Sequence, residues 1–286
     1  MLPTDNAEPN VTGGYILKID KTAGGDVVQN QPPSYYENNW ADDALYSEPI
    51  SFRSNYSTDR NRLNDAPYQE KQGYETYFLY EYPKAANINN EQKQYIQTYI
   101  DAFESALLSD DFSSQTRTYT DYIDLDSFVD FFIMNELTTN VDGYRLSTYL
   151  HKDRGQKLKM GPVWDFNIGF HQQNRIPDND WVANYNTHAP NDLWLVPFWW
   201  TRLLEDPVFQ QRLKERWETF RSSQLANATV LNLVQNTADY LTTNGAIDRN
   251  YSRWSGVDVN YNQVITDLKA NLEARLGWMD QKISEF

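Results

Sequence analysis

The sequence predicts an α+β fold, β-rich at its N-terminal end and mainly helical after it. Three observations carry this. Short runs before Pro83 alternate apolar and polar residues with the period of a half-buried strand. From Asn90 onward, apolar residues recur every three or four positions, the spacing of one helix face. The chain has 286 residues, 40% of them hydrophobic and 15% aromatic, enough to bury the core of one large domain or of two closely packed lobes. The change of period places the seam near residue 84, dividing the chain into 1–83 and 84–286.

Gly13 and Gly14 lead into YILKID, the first strand. PISFRSNYS and YETYFLYEYP give two more, separated by Asn, Asp, Pro and Gly turns, and AGGD at 23–26 reads as another turn. A helix is expected over 90–108, capped by Asn89 or Asn90, with Tyr95, Ile96, Tyr99, Ile100, Phe103 and Leu107 on its buried face. A second is expected over 126–137, burying Leu125, Phe128, Val129 and Phe132. A loop, TTNVDGY, then precedes two strands, RLSTYLH and KLKMGPVW, joined by the turn Asp153-Arg154-Gly155-Gln156. Beyond residue 194 the chain reads as helix. Trp194, Phe198, Trp199 and Trp200 continue as a stripe into Leu203 and Leu204. Asp206-Pro207 is a cap followed by a first-turn proline. Further core stripes are Phe209, Leu213, Trp217 and Phe220, then Val230, Leu231, Val234 and Leu241, then a long one from Tyr261 and Val264 through Ile265, Leu268, Leu272, Leu276 and Met279 to Ile283.

A net charge of −15 repels phosphate backbones and anionic membranes, so nucleic acid is excluded as a partner and basic or neutral partners fit better. The absence of cysteine removes disulfides, thiolate metal sites and thiol catalysis. No apolar run of about 18 residues occurs, so membrane insertion is not expected, and the first residues carry no signal-peptide pattern. A cysteine-free, acidic, Tyr- and Asn-rich chain suits an extracellular or cell-surface location, with any export signal lying outside this chain.

The chemistry concentrates in the hairpin. With its turn centred near residue 154, Asp165 faces Asp142 or Gly143 in an antiparallel pair, and opposed Cβ atoms lie roughly 5 Å apart. Both aspartates could simply cap turns. Together they could also serve phosphoryl transfer, in which one carboxylate holds the metal that bridges the phosphates and the other accepts the proton of the attacking hydroxyl. A helix, a loop bearing Asp142, a hairpin and then Asp165-Phe166-Asn167 follow one another as the corresponding parts do in protein kinases, although neither an HRD triplet nor a G-x-G-x-x-G loop is present.

NELTTNVDGYRLSTYLHKD followed by MGPVWDFNIGF resembles the CotH kinase family, named for a spore-coat protein, with its N-x-D and W-D-[FY]-[DN] segments. The likeness continues through GGYILKIDK, YFLYEYPK, VPFWWTRLLEDPVFQQRLKERW, RNYSRW and RLGWMD, and so spans nearly the whole chain. The resemblance implies an atypical, secreted-kinase-type fold that uses ATP and Mg²⁺ or Mn²⁺ to phosphorylate Ser or Thr on proteins. It matches Asp142 to the catalytic aspartate and Asp165 to the metal-binding one. Asn167 stands where many relatives carry a second acidic residue and offers a neutral oxygen to the metal. Arg145-Leu146-Ser147 stands where relatives have an asparagine. The family's small nucleotide-binding lobe, with its phosphate-binding lysine, is expected mostly ahead of GGYILKID, so the chain reads as a fragment short of part of that lobe, possessing only Lys18 and Lys21 as weak substitutes.

Arg145 either reaches a phosphate or is an exposed arginine beside acidic side chains. Asn135 and Glu136 either position Asp142 or the metal, or satisfy backbone groups at a helix end. His151, His171 and His188 lack ligand spacing. The aromatic wealth supports an alternative, a non-catalytic surface module that binds glycans or proteins on a kinase-like scaffold. A purely structural coat module ranks below both.

Overall fold

The structure, a computed structural model, describes residues 1–22, 44–170, 175–254 and 260–286. The AGGD turn and His171 lie outside these. Five strands form one antiparallel sheet: β1 (Tyr15–Ile19), β2 (Ser51–Arg53), β3 (Tyr77–Tyr82), β4 (Thr148–Lys152) and β5 (Leu158–Met160), in the order β2-β3-β1-β4-β5. β1 is central. Its alternation buries Tyr15, Leu17 and Ile19 and leaves Ile16 and Lys18 half-buried, as a period of two requires. The sheet therefore joins strands from both sides of residue 84, and one core of aromatic and aliphatic side chains continues from it into the helices.

β2 is shorter than PISFRSNYS suggests. Its hydroxyls compete for the backbone: Ser54 Oγ accepts from Tyr56 N, and Ser57 Oγ accepts from the amides of Asp59 and Asn61, which turns the chain out of the sheet.

Helix α1 (Asn90–Leu108) starts on a capping box, Asn89 accepting from Gln92 N while Gln92 Oε1 accepts from Asn89 N. α2 (Leu125–Leu137) is capped by Asp124 and buries Phe128, Val129, Phe131, Phe132 and Ile133. Two short helices, α3 (Tyr185–His188) and α4 (Trp199–Leu203), precede α5 (Pro207–Arg221), which Asp206 caps at Val208 N. α5 lies along α2, and Arg212 and Arg216 each fork onto an aspartate of α2, Asp126 and Asp130. Trp194, Phe198, Trp199, Trp200 and Leu203 are buried as expected, with Leu204 half-buried.

α6 (Asn227–Thr243), α7 (Ala246–Arg253) and α8 (Tyr261–Ser284) follow. The expected α6 core stripe is corrected: Val230, Leu231, Val234 and Leu241 are only half-buried, and Ala238 alone is buried in that helix. α6 packs against α7 and α8, away from the central core, so its apolar face is covered on one side. α8 buries Leu272, Leu276, Met279 and Ile283, whereas Tyr261, Val264, Ile265 and Leu268 remain partly or fully exposed. No described helix is long and apolar enough to cross a membrane.

Candidate active site

The β4–β5 hairpin pairs Leu150 with Met160 and Lys152 with Leu158, so its turn is centred one residue later than the sequence suggested. β5 begins at Leu158, just after the turn that Gln156 N closes on Asp153 O; on the edge away from β4 the Leu158 amide donates to Tyr122 O and its carbonyl accepts from Asp124 N. The ladder also ends early. Gly161 N still donates to Tyr149 O, but Gly161 has φ +117° and Pro162 lacks an N–H, so the strand stops before Asp165. Arg145, Leu146 and Ser147 likewise precede β4. Asp142 and Asp165 are thus carried on irregular segments flanking the hairpin.

Those two segments are laced together at both ends. Thr138 O, where the Asp142 loop leaves α2, accepts from Phe170 N, and a β-carbon on Gly169 would stand 3.0 Å from the same carbonyl. At the other end, Ser147 Oγ donates to Asp165 Oδ2 at 3.1 Å. Thr139, Tyr144 and Ser147 in the loop, and Asp165 and Phe170 in the second segment, all have positive φ. Non-glycine residues held there cost energy, and such strain collects where tertiary structure must fix a functional geometry.

Asp142 opens onto a cavity of about 330 Å³ lined also by Lys21, Arg145, Arg175, Asp192 and Trp194. The structure brings Asp142 and Arg145 together: Arg145 Nη2 donates to Asp142 Oδ1 at 2.7 Å, and Arg175 Nη1 lies 3.8 Å from the same oxygen. Arg145 is not the exposed arginine of the sequence reading. It is 1% exposed, donates from Nε to Val141 O and from Nη1 to Trp194 O, pairs with Asp192 at 3.5 Å and stacks on Tyr185. It bonds the loop to the 192–194 strip because a buried guanidinium must place its donors.

Asp192 accepts from Tyr185 OH and Trp194 N, and Arg145 and Arg175 add to these bonds in holding its carboxyl below the usual range against the opposing effect of burial. Lys21 lies over the Trp194 ring at 4.9 Å, and Lys71, lowered to about 8 by burial, lies 5.7 Å from that ring. Lys18 pairs with Asp20 at 3.5 Å and lines a different cavity with Lys21 and Lys84. Asp165 and Asn167 are exposed, and Asp165 does not line the Asp142 cavity. His151 Nδ1 contacts Gly161 O and His188 contacts Asp180, so neither is part of the cavity. Sequence reasoning missed Asp192 and Arg175. Neither stands in a recognisable spacing from Asp142, and tertiary structure alone brings them there.

Glu136 anchors the loop from below. Its carboxylate accepts from Tyr144 OH, Val182 N, Ala183 N and Arg275, and both Glu136 and Arg275 are fully buried. Burial raises the Glu136 carboxyl, against the pull of Arg275 and the two amides.

A family model described as CotH kinase protein matches residues 8–279. The chain belongs to the CotH kinase family. No curated protein matches it. CotH membership covers most of the chain and points to kinase-like chemistry, and the α+β fold, with its sheet and mostly helical C-terminal part, is compatible with a kinase-like architecture. In this CotH member the N-x-D segment is Asn140-Val141-Asp142, and the W-D-F-N segment is Trp164 to Asn167.

Proposed function

We propose that the chain is an ATP- and divalent-metal-dependent phosphotransferase acting on Ser or Thr of proteins. The observation that carries this reading is the lacing of the Asp142 loop to the Asp165 segment through Thr138 and Ser147, beside a cavity with cationic side chains. Asp142 is the proton acceptor. Arg145 occupies its Oδ1, and its Oδ2 has no partner among the described residues, which leaves that oxygen for a substrate hydroxyl. Arg145 reaches a phosphate only through the edge it shows to the cavity, whereas Lys21 and the half-exposed Arg175 supply most of the positive charge.

Among the described residues no group of three or more His, Asp or Glu could hold a metal unaided. Mg²⁺ or Mn²⁺ does not need one, since it takes one or two carboxylates and completes its shell with phosphates and water. Exposed Asp165, whose Oδ1 has no partner among the described residues, and exposed Asn167 fit that requirement. Asp142, already ion-paired, fits it poorly. When bound, the metal would neutralise phosphate charge. With a net charge of −15, a basic or neutral acceptor protein is favoured, met at the cell surface or outside the cell.

The test is transfer of label from [γ-³²P]ATP to a basic Ser/Thr-containing protein in Mg²⁺ or Mn²⁺. Wild type should label its acceptor on Ser or Thr, and Asp142→Asn should not. Equal labelling by both would overturn the assignment.

A further inference from the structure

We propose that Asn135, in the last turn of α2, is the positioning residue for Asp142. Its catalytic consequence rests on the phosphotransferase reading; its placement does not. Asn135 is 1% exposed. Its Nδ2 donates to Phe131 O at 2.9 Å, its Oδ1 accepts from Asn140 Nδ2 at 3.1 Å, and its backbone carbonyl accepts from Asn140 N at 3.0 Å. The carboxamide is thereby fixed on one side by its own helix and on the other by the residue two before Asp142.

The same oxygen shapes the residue after Asp142. A β-carbon on Gly143 would lie 2.1 Å from Asn135 Oδ1 and 2.6 Å from its Cγ. Gly143 is absent from the residues with positive φ, so its glycine answers to this close approach and not to a left-handed turn. Gly143 N in turn donates to Asn140 O at 2.9 Å. One carboxamide therefore bonds the loop before Asp142 and lies close against its backbone after it, while Leu146 N donates to Asp142 O.

Ordinary helix-end duty does not account for the Asn135 side chain. The carbonyls of Met134 and Glu136 are served by the amides of Thr138 and Thr139, and Thr138 Oγ1 adds a second donor to Met134 O. The arrangement also carries a cost, since Asn140 Oδ1 is buried without a partner among the described residues. An unsatisfied buried acceptor is retained where geometry outranks stability.

The experiment is a double-mutant cycle of Asn135→Ala and Gly143→Ala in the full chain, read by melting, amide exchange and phosphotransfer. Gly143→Ala alone should melt well below wild type, and Asn135→Ala/Gly143→Ala should melt above Gly143→Ala, because the methyl enters vacated space. Amides of Gly143 and Leu146 should exchange at least about tenfold faster in Asn135→Ala, with those of mid-α2 unchanged. Phosphotransfer by Asn135→Ala, measured well below its melting temperature and expressed per folded molecule, should lose about tenfold or more in kcat, with the KM for ATP within about threefold; a merely destabilised variant would regain wild-type kcat once corrected for its folded fraction. If Asn135→Ala fails to fold, Asn135→Ser is measured in the same way. Additive melting in the cycle, or unchanged exchange at Gly143 and Leu146, would overturn the placement. An unchanged kcat in an active protein would overturn the positioning role. Should wild type transfer no phosphate, the phosphotransferase reading falls, while the cycle and the exchange still decide whether Asn135 holds the loop.

Discussion

Ser147 Oγ donates to Asp165 Oδ2 at 3.1 Å, joining the end of the Asp142 loop to the segment beyond the hairpin. Ser147 occupies the backbone position before β4 with φ +48°, a conformation a serine adopts only under constraint. The hydroxyl aims the Asp165 carboxylate, whose other oxygen has no partner among the described residues.

Ser147→Ala should accordingly affect catalysis more than stability. The bond is solvent-accessible and worth about 1 kcal/mol, so phosphotransfer should fall by about fivefold. The melting temperature should move little. Steady-state kinetics beside a melting curve checks this, and a variant with wild-type kcat would show that Asp165 needs no such aim.

The two aspartates should separate by role. On the proposed metal assignment wild type should melt higher in millimolar Mn²⁺; Asp165→Asn should reduce that rise, and Asp142→Asn should preserve most of it while removing transfer. Asp142 is committed to Arg145 at 2.7 Å, so its amide variant loses an ion pair as well as a base. If both variants lost the Mn²⁺ response equally, the division of labour would be wrong.

Much of the fold was legible because it is local. Asn89 and Gln92 form a capping box within four residues, Asp206-Pro207 opens α5, and the period-two pattern of YILKI names its buried residues. The hairpin was legible in outline and misplaced in register. Leu158, the first residue of β5, is bonded on its outer edge to Tyr122 and Asp124, residues remote from the turn. The cavity was the least legible part. Asp142 and Arg145 are three apart, but Asp192 joins them through Arg145 across 47 positions, and Glu136 reaches Arg275 across 139. Periodicity carries no information over such separations. The half-exposed stripe of α6 failed for a related reason: spacing identifies a helix's apolar face but not whether anything covers it.

Asp206 is buried and serves three partners at once. It caps α5 at Val208 N, accepts from Tyr119 OH at 2.6 Å and pairs with Arg117 at 3.2 Å. Asp206→Ala removes the cap and strands a buried phenol, so a loss of about 2 to 4 kcal/mol is expected. Asp206→Asn keeps an oxygen for the cap and should lose less. Denaturant unfolding of the two variants decides it, and equal losses would mean that the cap contributes nothing.

Glu104 gives the protein a pH dependence of unusual sign for a carboxylate. It is fully buried on α1, accepting from Ser54 Oγ and from Trp199 Nε1, and burial raises its carboxyl from 4.5 to about 8, with those two hydrogen bonds opposing. In the unfolded chain the group ionises above about 4.5; in the folded protein it keeps its proton until about 8. Within that window the folded state binds the extra proton, so this group's contribution to stability falls as pH rises, by at most about 1.4 kcal/mol per pH unit. Above the folded value the loss is complete. Glu104→Gln cannot ionise and retains an oxygen for Trp199, so it should be free of this slope. The melting temperature of Glu104→Gln relative to wild type should therefore climb between pH 5 and pH 9. A difference that stays constant across that range would mean that Glu104 is ionised in the folded protein at neutral pH, with the Trp199 and Ser54 hydrogen bonds outweighing its burial.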